Sequence, residues 1–547
     1  MTGRLFDPSS VSDFDALCRS FRWRIPERFN IAHAVIDRHR AIGNHVAVYC
    51  EDESGRKGSY TFEELRVLSN RFANVLTEAG VRRGDRVAVV LPQRIETAVV
   101  HLAAFKVGAV TVPLSVLFGP DALEYRLADS GSRLVICDGA HRETLEALRG
   151  DIDGLERVID CDEQREDGFW GLLERAAGEC ECVDTLANDP ALIIYTSGTT
   201  GPPKGALVAH RCLLGNLTGF ELSQDFFPQH GDLFWTPADW AWTGGLIDAL
   251  LPSLYYGKPV LGYEYGKFDP ERACELIGRY RVRNAFIPPT ALKMMRQVGD
   301  IRERYRVELR SVMSAGESMG AELYEWGREA LGIEVNEMWG QSEFNYIVGN
   351  SSRILPVRPG SMGKAYPGHR VSPVDGHGRE LADGEIGELA AHRDDPVMFL
   401  GYWNRDEATE EKFIGEWWGT GDMGYRDADG YLWFVGRKDD VISSAGYRIG
   451  PGEIEDCLIR HSAVSQAAVI GSPDDLRGEI VKAFIVLADG YEGNDALREE
   501  IRTSVRQRLA AYEYPREIEF LDELPLTTTG KVRRVELRER ERRRKKL

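Results

Sequence analysis

Apolar and polar positions change rhythm twice along this chain, and each change predicts a different architecture. From about residue 60 to 260, short apolar runs alternate with longer helical stretches. Arg86-Val87-Ala88-Val89-Val90-Leu91, Ala109-Val110-Thr111-Val112, Arg133-Leu134-Val135-Ile136-Cys137 and Leu192-Ile193-Ile194 read as buried strands, and residues 95–106 as a helix. Such alternation predicts α/β layers. A second block runs from about 269 to 336, with strands at 284–287 and 311–313 and a helix at 323–331. Between about 360 and 434 the runs shorten and are broken by Gly, Asp and Pro, as in Gly384-Glu385-Ile386-Gly387-Glu388-Leu389 and Asp429-Gly430-Tyr431-Leu432-Trp433-Phe434. That texture predicts a β-rich, barrel-like subdomain. After Gly436-Arg437-Lys438-Asp439-Asp440, helix and strand alternate again. The fold class expected is α/β. A large N-terminal domain (1–436) is built of two packed α/β layers plus the β-rich subdomain at about 360–436, and a small mobile α+β domain covers 437–547.

At 547 residues the chain exceeds a single core. Its 43% hydrophobic and 28% charged content is that of a soluble globular protein, with no apolar stretch of membrane-spanning length and no N-terminal apolar h-region, so the expected location is the cytoplasm. The net charge of −19 argues against sequence-independent nucleic-acid binding by the body of the protein. The basic run Arg538-Glu539-Arg540-Glu541-Arg542-Arg543-Arg544-Lys545-Lys546 reads as a solvated helical tail without an assigned role. Nine cysteines are scattered, and only Cys180 and Cys182 lie close, with no second Cys/His pair at zinc spacing. Reduced thiols in a reducing compartment fit best.

Behind the run at 192–194 comes Tyr195-Thr196-Ser197-Gly198-Thr199-Thr200-Gly201-Pro202-Pro203-Lys204-Gly205. Glycines bring backbone N–H groups close to an anion, hydroxyls donate to phosphate oxygens, and a lysine neutralises charge, so a polyphosphate is the ligand expected. The familiar GxxxxGK[ST] loop is disfavoured, because Lys204 stands between Pro203 and Gly205.

Four more motifs follow in order: Glu337-Met338-Trp339-Gly340-Gln341-Ser342-Glu343, Thr420-Gly421-Asp422, Gly436-Arg437 through Gly446-Tyr447-Arg448-Ile449, and Pro525-Leu526-Thr527-Thr528-Thr529-Gly530-Lys531. Together with the loop they resemble the acyl-adenylate-forming (AMP-binding) superfamily over about residues 60–534, and within it the acetyl-CoA and medium-chain acyl-CoA synthetases. The resemblance implies a two-step ligase with ATP, Mg²⁺ and coenzyme A: a carboxylate attacks the α-phosphate to give acyl-AMP and pyrophosphate, and the thiol of coenzyme A then displaces AMP.

The resemblance also implies the site. Thr196, Ser197, Gly198, Thr199, Thr200, Gly201 and Lys204 cradle the phosphates; Gly316, Glu317 and Ser318 meet the adenine edge; and Trp339 stacks on adenine among Glu337, Met338, Gly340, Gln341 and Ser342. Asp422 and Arg437 anchor ribose, and Glu343 with Thr199 holds Mg²⁺. Lys531 and Arg448 supply catalytic positive charge to the α-phosphate. Asp439 is the hinge at which the small domain turns between half-reactions. Ala445, Gly446 and Tyr447 admit the pantetheine arm, while Arg477, Arg506, Tyr514 and Arg516 face the nucleotide of coenzyme A.

For the acyl group the expected walls are Trp242, Thr243 and Gly244 on one side and Phe286 opposite. Gly340 stands where acetate-specific relatives carry a tryptophan, which implies a deeper pocket for a medium-chain, branched or aryl acid. Asp239 and Asp248 raise the question of a substrate amine, with Asp239 read as structural. Rival readings are an acetyl- or propionyl-CoA synthetase, an enzyme loading a carrier-protein thiol, and a non-catalytic nucleotide sensor. No carrier domain follows Lys531, and the catalytic positions all hold suitable residues. Lys531 is also a candidate for an acetyltransferase and deacetylase pair.

Overall fold

The computed structural model describes residues 3–11, 13–196, 202–264, 266–317, 319–444, 447–474, 477–509, 513–527 and 531–545. Compactness groups them into two units. The first is Met1–Arg358, Gly363–Arg370 and His392–Lys412; the second is Pro359–Met362, Val371–Ala391 and Phe413–Leu547.

In the first unit one sheet orders its strands Gly401–Tyr402, Lys204–Ala209, Pro190–Thr196, Val110–Pro113, Arg86–Val90, Ser132–Cys137 and Arg157–Asp160. From Pro190–Thr196 to Arg157–Asp160 the pairing is parallel. Parallel strands are covered on both faces, which is why these runs are apolar at nearly every position. The covering helix Ile95–Val107 is buried at every residue and stops at Gly108, whose φ of 73° ends a helix without Cβ strain. The second sheet of the unit runs Asn345–Gly349, Val335–Gln341, Ser311–Ser314, Asn284–Phe286, Phe234–Trp235, Val260–Glu264, Val46–Asp52 and Lys57–Thr61. It is parallel between Val335–Gln341 and Val46–Asp52, and each end of that parallel part pairs with an antiparallel hairpin strand; Asn345–Gly349 pairs onward with Ser361–Ala365. The hairpin at 46–61 escapes a pattern reading that begins at residue 60, because its strands are mixed in polarity and only half covered.

The second unit departs from expectation in three ways. Its β-rich part is an open antiparallel order, Val371–Val374, Gly387–His392, Trp417–Arg426, Leu432–Arg437, and does not close as a barrel among the described residues. Two of these strands begin three residues later than the runs that predicted them, because Gly384 (φ 85°) and Gly430 (φ 87°) turn the chain where a strand was read. The third departure is the basic tail, which is no solvated appendage.

The C-terminal sheet orders Tyr447–Ile449, Ile442–Ser444, Gly478–Leu487 and Val464–Asp474, with Glu517–Phe520 parallel to Gly478–Leu487. Alternate residues serve its two faces. Ala467, Val469, Val481, Ala483 and Ile485 pack with Ile454, Leu458, Leu497, Ile501 and Val505 of the helices Pro451–Ile459 and Asp495–Arg508. Ala468, Ile470 and Phe484 pack with Leu537 of the helix Arg534–Arg544, so the basic run covers the second face. Several of its charges are paired: Arg534 with Glu455, Arg538 with Asp440, Arg540 with Glu519, and Arg544 with Glu517 and Glu541.

Candidate active site

The glycine- and hydroxyl-rich loop joins the antiparallel strands Pro190–Thr196 and Lys204–Ala209, which place Thr196 opposite Lys204. Gly205 is required there, since a Cβ on it would lie 2.6 Å from Cγ2 of Ile193. Ser197, Gly198, Thr199, Thr200 and Gly201 lie outside the described residues, as does Ser318. Lys204 holds its ammonium 5.2 Å from the centre of the Tyr402 ring. The Tyr402 hydroxyl in turn donates to Oε1 of Glu343 at 2.5 Å. Tyr402 arrives on a two-residue strand paired with Ala206 and Leu207, and Phe399 N–H donates to the Glu343 carbonyl at 2.7 Å. The Lys204 ammonium and the Glu343 carboxylate thus meet across one tyrosine, which the sequence reading missed. Nothing in Leu400-Gly401-Tyr402-Trp403 marks that position; only its pairing to the loop strand does. A buried carboxylate with hard oxygen donors fits Mg²⁺.

Glu337, Met338 and Trp339 occupy the strand Val335–Gln341, beside the parallel strand Ser311–Ser314 that leads into Gly316. Gly316 takes a φ of 105°, a conformation only glycine adopts without strain. Glu317 accepts from Oγ1 of Thr290 at 2.6 Å, and Met319 N–H donates to Glu337 Oε1 at 3.3 Å, which ties Met319 to the strand Val335–Gln341. The Trp339 ring lies 5.4 Å from that of Phe344, and Gly340, Gln341 and Ser342 are half-buried beyond it. Sites at the carboxyl ends of parallel strands are the rule in α/β sheets.

At the acyl walls a Cβ on Gly244 would lie 2.4 Å from Cε1 of Phe286, so these two predicted residues touch. Trp242 packs edge-on to Phe118 at 5.9 Å, and the Arg126 guanidinium lies 4.1 Å from the Phe118 ring centre. Thr243 opens the short helix that follows. Asp239 accepts from Ser115 Oγ at 2.9 Å on one oxygen and from Ala241 N–H at 3.0 Å on the other, as a structural carboxylate should. The reading of Gly340 needs correction. A Cβ there would lie 1.6 Å from the Asn345 carbonyl oxygen, within its own hairpin. Close backbone approach therefore requires glycine at 340, and its lack of a side chain is no measure of pocket depth.

In the second unit Asp422 and Arg437 face each other across neighbouring strands, and Arg437 Nη1 donates to Asp422 Oδ1 at 2.6 Å. Gly421 (φ 74°) brings the Arg437 guanidinium within 2.8 Å of where a Cβ would stand. Glu388, also missed, accepts from Gly421 N–H at 2.8 Å and from Lys438 Nζ at 3.0 Å. Asp439 is exposed, in the turn directly after Leu432–Arg437. Lys531 is exposed and is bonded to Thr527 twice, from Thr527 N–H to the Lys531 carbonyl (2.7 Å) and from Lys531 N–H to Thr527 Oγ1 (3.0 Å), while residues 528–530 lie outside the described residues. Arg448 and Tyr447 pair through their backbone with Ser443 and Ser444, while Ala445 and Gly446 lie outside the described residues. The guanidiniums of Arg506 and Arg516 lie 5.5 and 5.1 Å from the Tyr514 ring centre, which gathers three of the four predicted coenzyme A residues. Arg477 sits in the turn before Gly478–Leu487, its N–H bonded to Asp474 Oδ1 at 2.9 Å.

Known proteins resemble this chain over nearly its whole length. The AMP-binding enzyme family model matches residues 37–403, and that of the AMP-binding enzyme C-terminal domain matches residues 453–531. The mitochondrial acyl-coenzyme A synthetase ACSM3 of Rattus norvegicus is 35% identical over 98% of this chain and 94% of its own. The acetyl-coenzyme A synthetase of Bacillus subtilis is 36% identical over 93% of this chain and 90% of its own. Among solved structures, the anthranilate CoA ligase AuaEII in complex with anthranoyl-AMP superposes with a TM-score of 0.86 at 28% identity, covering 96% of this chain and 99% of that one. Matched in both its large and its small domain, the chain belongs to the AMP-binding enzyme family.

Proposed function

We propose that the protein is an ATP-dependent, AMP-forming acyl-CoA synthetase whose acid is larger than acetate: medium-chain, branched or aryl. The observation that carries the reading is the Lys204–Tyr402–Glu343 constellation beside the loop hairpin, in a chain of this family. ATP and coenzyme A are its substrates. Glu343 with Thr199 would hold Mg²⁺, which would supply neutralisation of phosphate charge. The first step joins two anions, so its barrier is repulsion and orientation. Lys204 and the loop hold the leaving pyrophosphate, Asp422 and Arg437 fix the ribose, and Lys531 and Arg448 bring positive charge to the α-phosphate. Rotation at Asp439, the hinge of the small domain 437–547, exchanges Lys531 for the Ala445-Gly446-Tyr447 channel. Arg477, Arg506, Tyr514 and Arg516 receive the nucleotide end of coenzyme A. No described helix is long and apolar enough to cross a membrane; cysteines that form no disulfide among the described residues fit a reducing, cytoplasmic setting.

Aromatic walls at Phe118, Trp242 and Phe286 favour an apolar acyl group, at about 0.8 kcal/mol per buried CH₂. AMP release with coenzyme A across acids from acetate to dodecanoate, with branched and aromatic acids, tests this. Acetate as the best substrate would overturn the larger-acid reading, and no AMP from any acid would overturn the synthetase reading. Gly244→Ala pushes a methyl group into the Phe286 ring. It is expected to shift preference toward shorter acids by about tenfold in kcat/KM, one to two methylenes' worth of burial.

A further inference from the structure

One turn beyond Gly244 the helix widens into a π-turn over Leu246–Leu250, and Asp248 on it is 4% exposed. Its Oδ1 accepts from Asn345 Nδ2 at 2.6 Å and from Asn216 Nδ2 at 3.3 Å. Asn216 Nδ2 also donates to the Ile247 carbonyl at 2.9 Å, which fixes the orientation of that amide. The Asn216 Oδ1 is then buried with no donor facing it among the described residues. An ionised Asp248 would leave that oxygen orphaned beside a second acceptor, with two amide donors as its only compensation.

We infer that Asp248 is a carboxylic acid in the folded enzyme, its hydroxyl donating to Asn216 Oδ1 to close a cyclic acid–amide pair, and that it thereby positions Asn345. This rests on the adenylation reading given above. Asn345 has a left-handed φ of 52° and stands two residues after Glu343, and its carbonyl is the group packed against Gly340. Asp248 is therefore a positioning residue for the corner that carries the metal-side carboxylate. The groups facing it agree with a neutral acid. They are Cys212 at the start of the helix Cys212–Ser223, a thiol pushed up to about 12 by burial, and Tyr346 on the strand Asn345–Gly349, a phenol pushed well above its usual range by burial. No described cation is among the influences on Asp248, and burial pushes its carboxyl up to about 8 against the two amide hydrogen bonds.

Asp248→Asn keeps an acceptor for Asn345 and a donor for Asn216; Asp248→Ala keeps neither. ATP–pyrophosphate exchange by the full-length enzyme is expected to fall about tenfold per pH unit above pH about 8 in the wild type. D248N is expected to hold its neutral-pH activity into that range, and D248A to be impaired throughout. Without substrate, an infrared difference spectrum across the same titration is expected to lose a protonated-carboxyl band in the wild type and show none in D248N. Equal impairment of D248N and D248A, or an alkaline limb shared by wild type and D248N, overturns the inference, and so does absence of the infrared band. Absence of exchange in every variant while that band is present would overturn the adenylation reading and leave the acid–amide pair intact.

Discussion

Lys531→Ala is expected to lower ATP–pyrophosphate exchange by about 10²–10³-fold, the cost of removing a donor aimed at developing charge, while thioester formation from supplied acyl-adenylate stays close to wild type. The structure supplies what such a residue needs. Its backbone is held by reciprocal bonds with Thr527 and by the bridge of Leu526 to Val532, while its side chain is exposed. A backbone held at Thr527 and Val532 with an exposed ammonium suits a charge delivered in one half-reaction and withdrawn in the other. A merely structural Lys531 would lower both half-reactions together through reduced stability. Normal exchange in the variant would remove Lys531 from the mechanism. Lys531→Arg separates charge from shape, because it keeps the charge with a larger, planar head. Acetylation of Lys531, which removes the charge, is expected to match the alanine variant.

Glu541→Ala is expected to destabilise the C-terminal domain by about 3 kcal/mol, the lower end of the cost of breaking a buried ion pair. Glu541 and Lys482 are each 1% exposed at their side chains and bonded to one another, and Ser472 and Arg544 also donate to Glu541. Lys482 keeps the carboxylates of the neighbouring strand, Glu519 at 2.7 Å and Glu517 at 3.8 Å, and the Phe484 ring at 4.7 Å, which places the loss at the low end. For a domain of this size that is a fall of more than about 10 °C in melting temperature, read by calorimetry. Burial pushes the Glu541 carboxyl up, but hydrogen bonds from Arg544, Lys482 and Ser472 prevail and hold it at about 2. Its stabilisation is therefore present above the usual glutamate range, near 4.5, and lost as pH falls through about 2. The gap between wild type and E541A is expected to narrow on acidification. Asp248 has the opposite sign. Its stabilisation is complete below the usual aspartate range, near 3.8, and is lost as pH rises through about 8. The pair predicts a small domain sensitive to acid and a large unit sensitive to base.

How far the site was legible depended on where its contacts are made. Thr196 and Lys204, or Asp422 and Arg437, are brought together by hairpins and adjacent strands, and local pairing follows from nearby sequence. Tyr402 reaches Glu343, and Thr290 reaches Glu317, across distances in sequence that no motif spans. Gly340 shows the converse: the residue was noticed, but its reason lies in a backbone oxygen five positions on, visible only once the hairpin is closed.

By itself the sequence determined the α/β class, the order of the motifs and the chemistry they serve. Strand and helix periodicity, glycine-bearing turns and charged residue types are local properties that survive without coordinates. Tertiary structure decided the rest. It turned a basic tail into a helix covering the second face of a sheet, because the burial of Leu537 and Glu541 depends on strands far away in the chain. It kept the β-rich segment open, because closure is set by register between strands rather than by their composition. It gave Asp248 a proton to hold, because the state of a carboxyl is fixed by the amides and apolar groups that surround it.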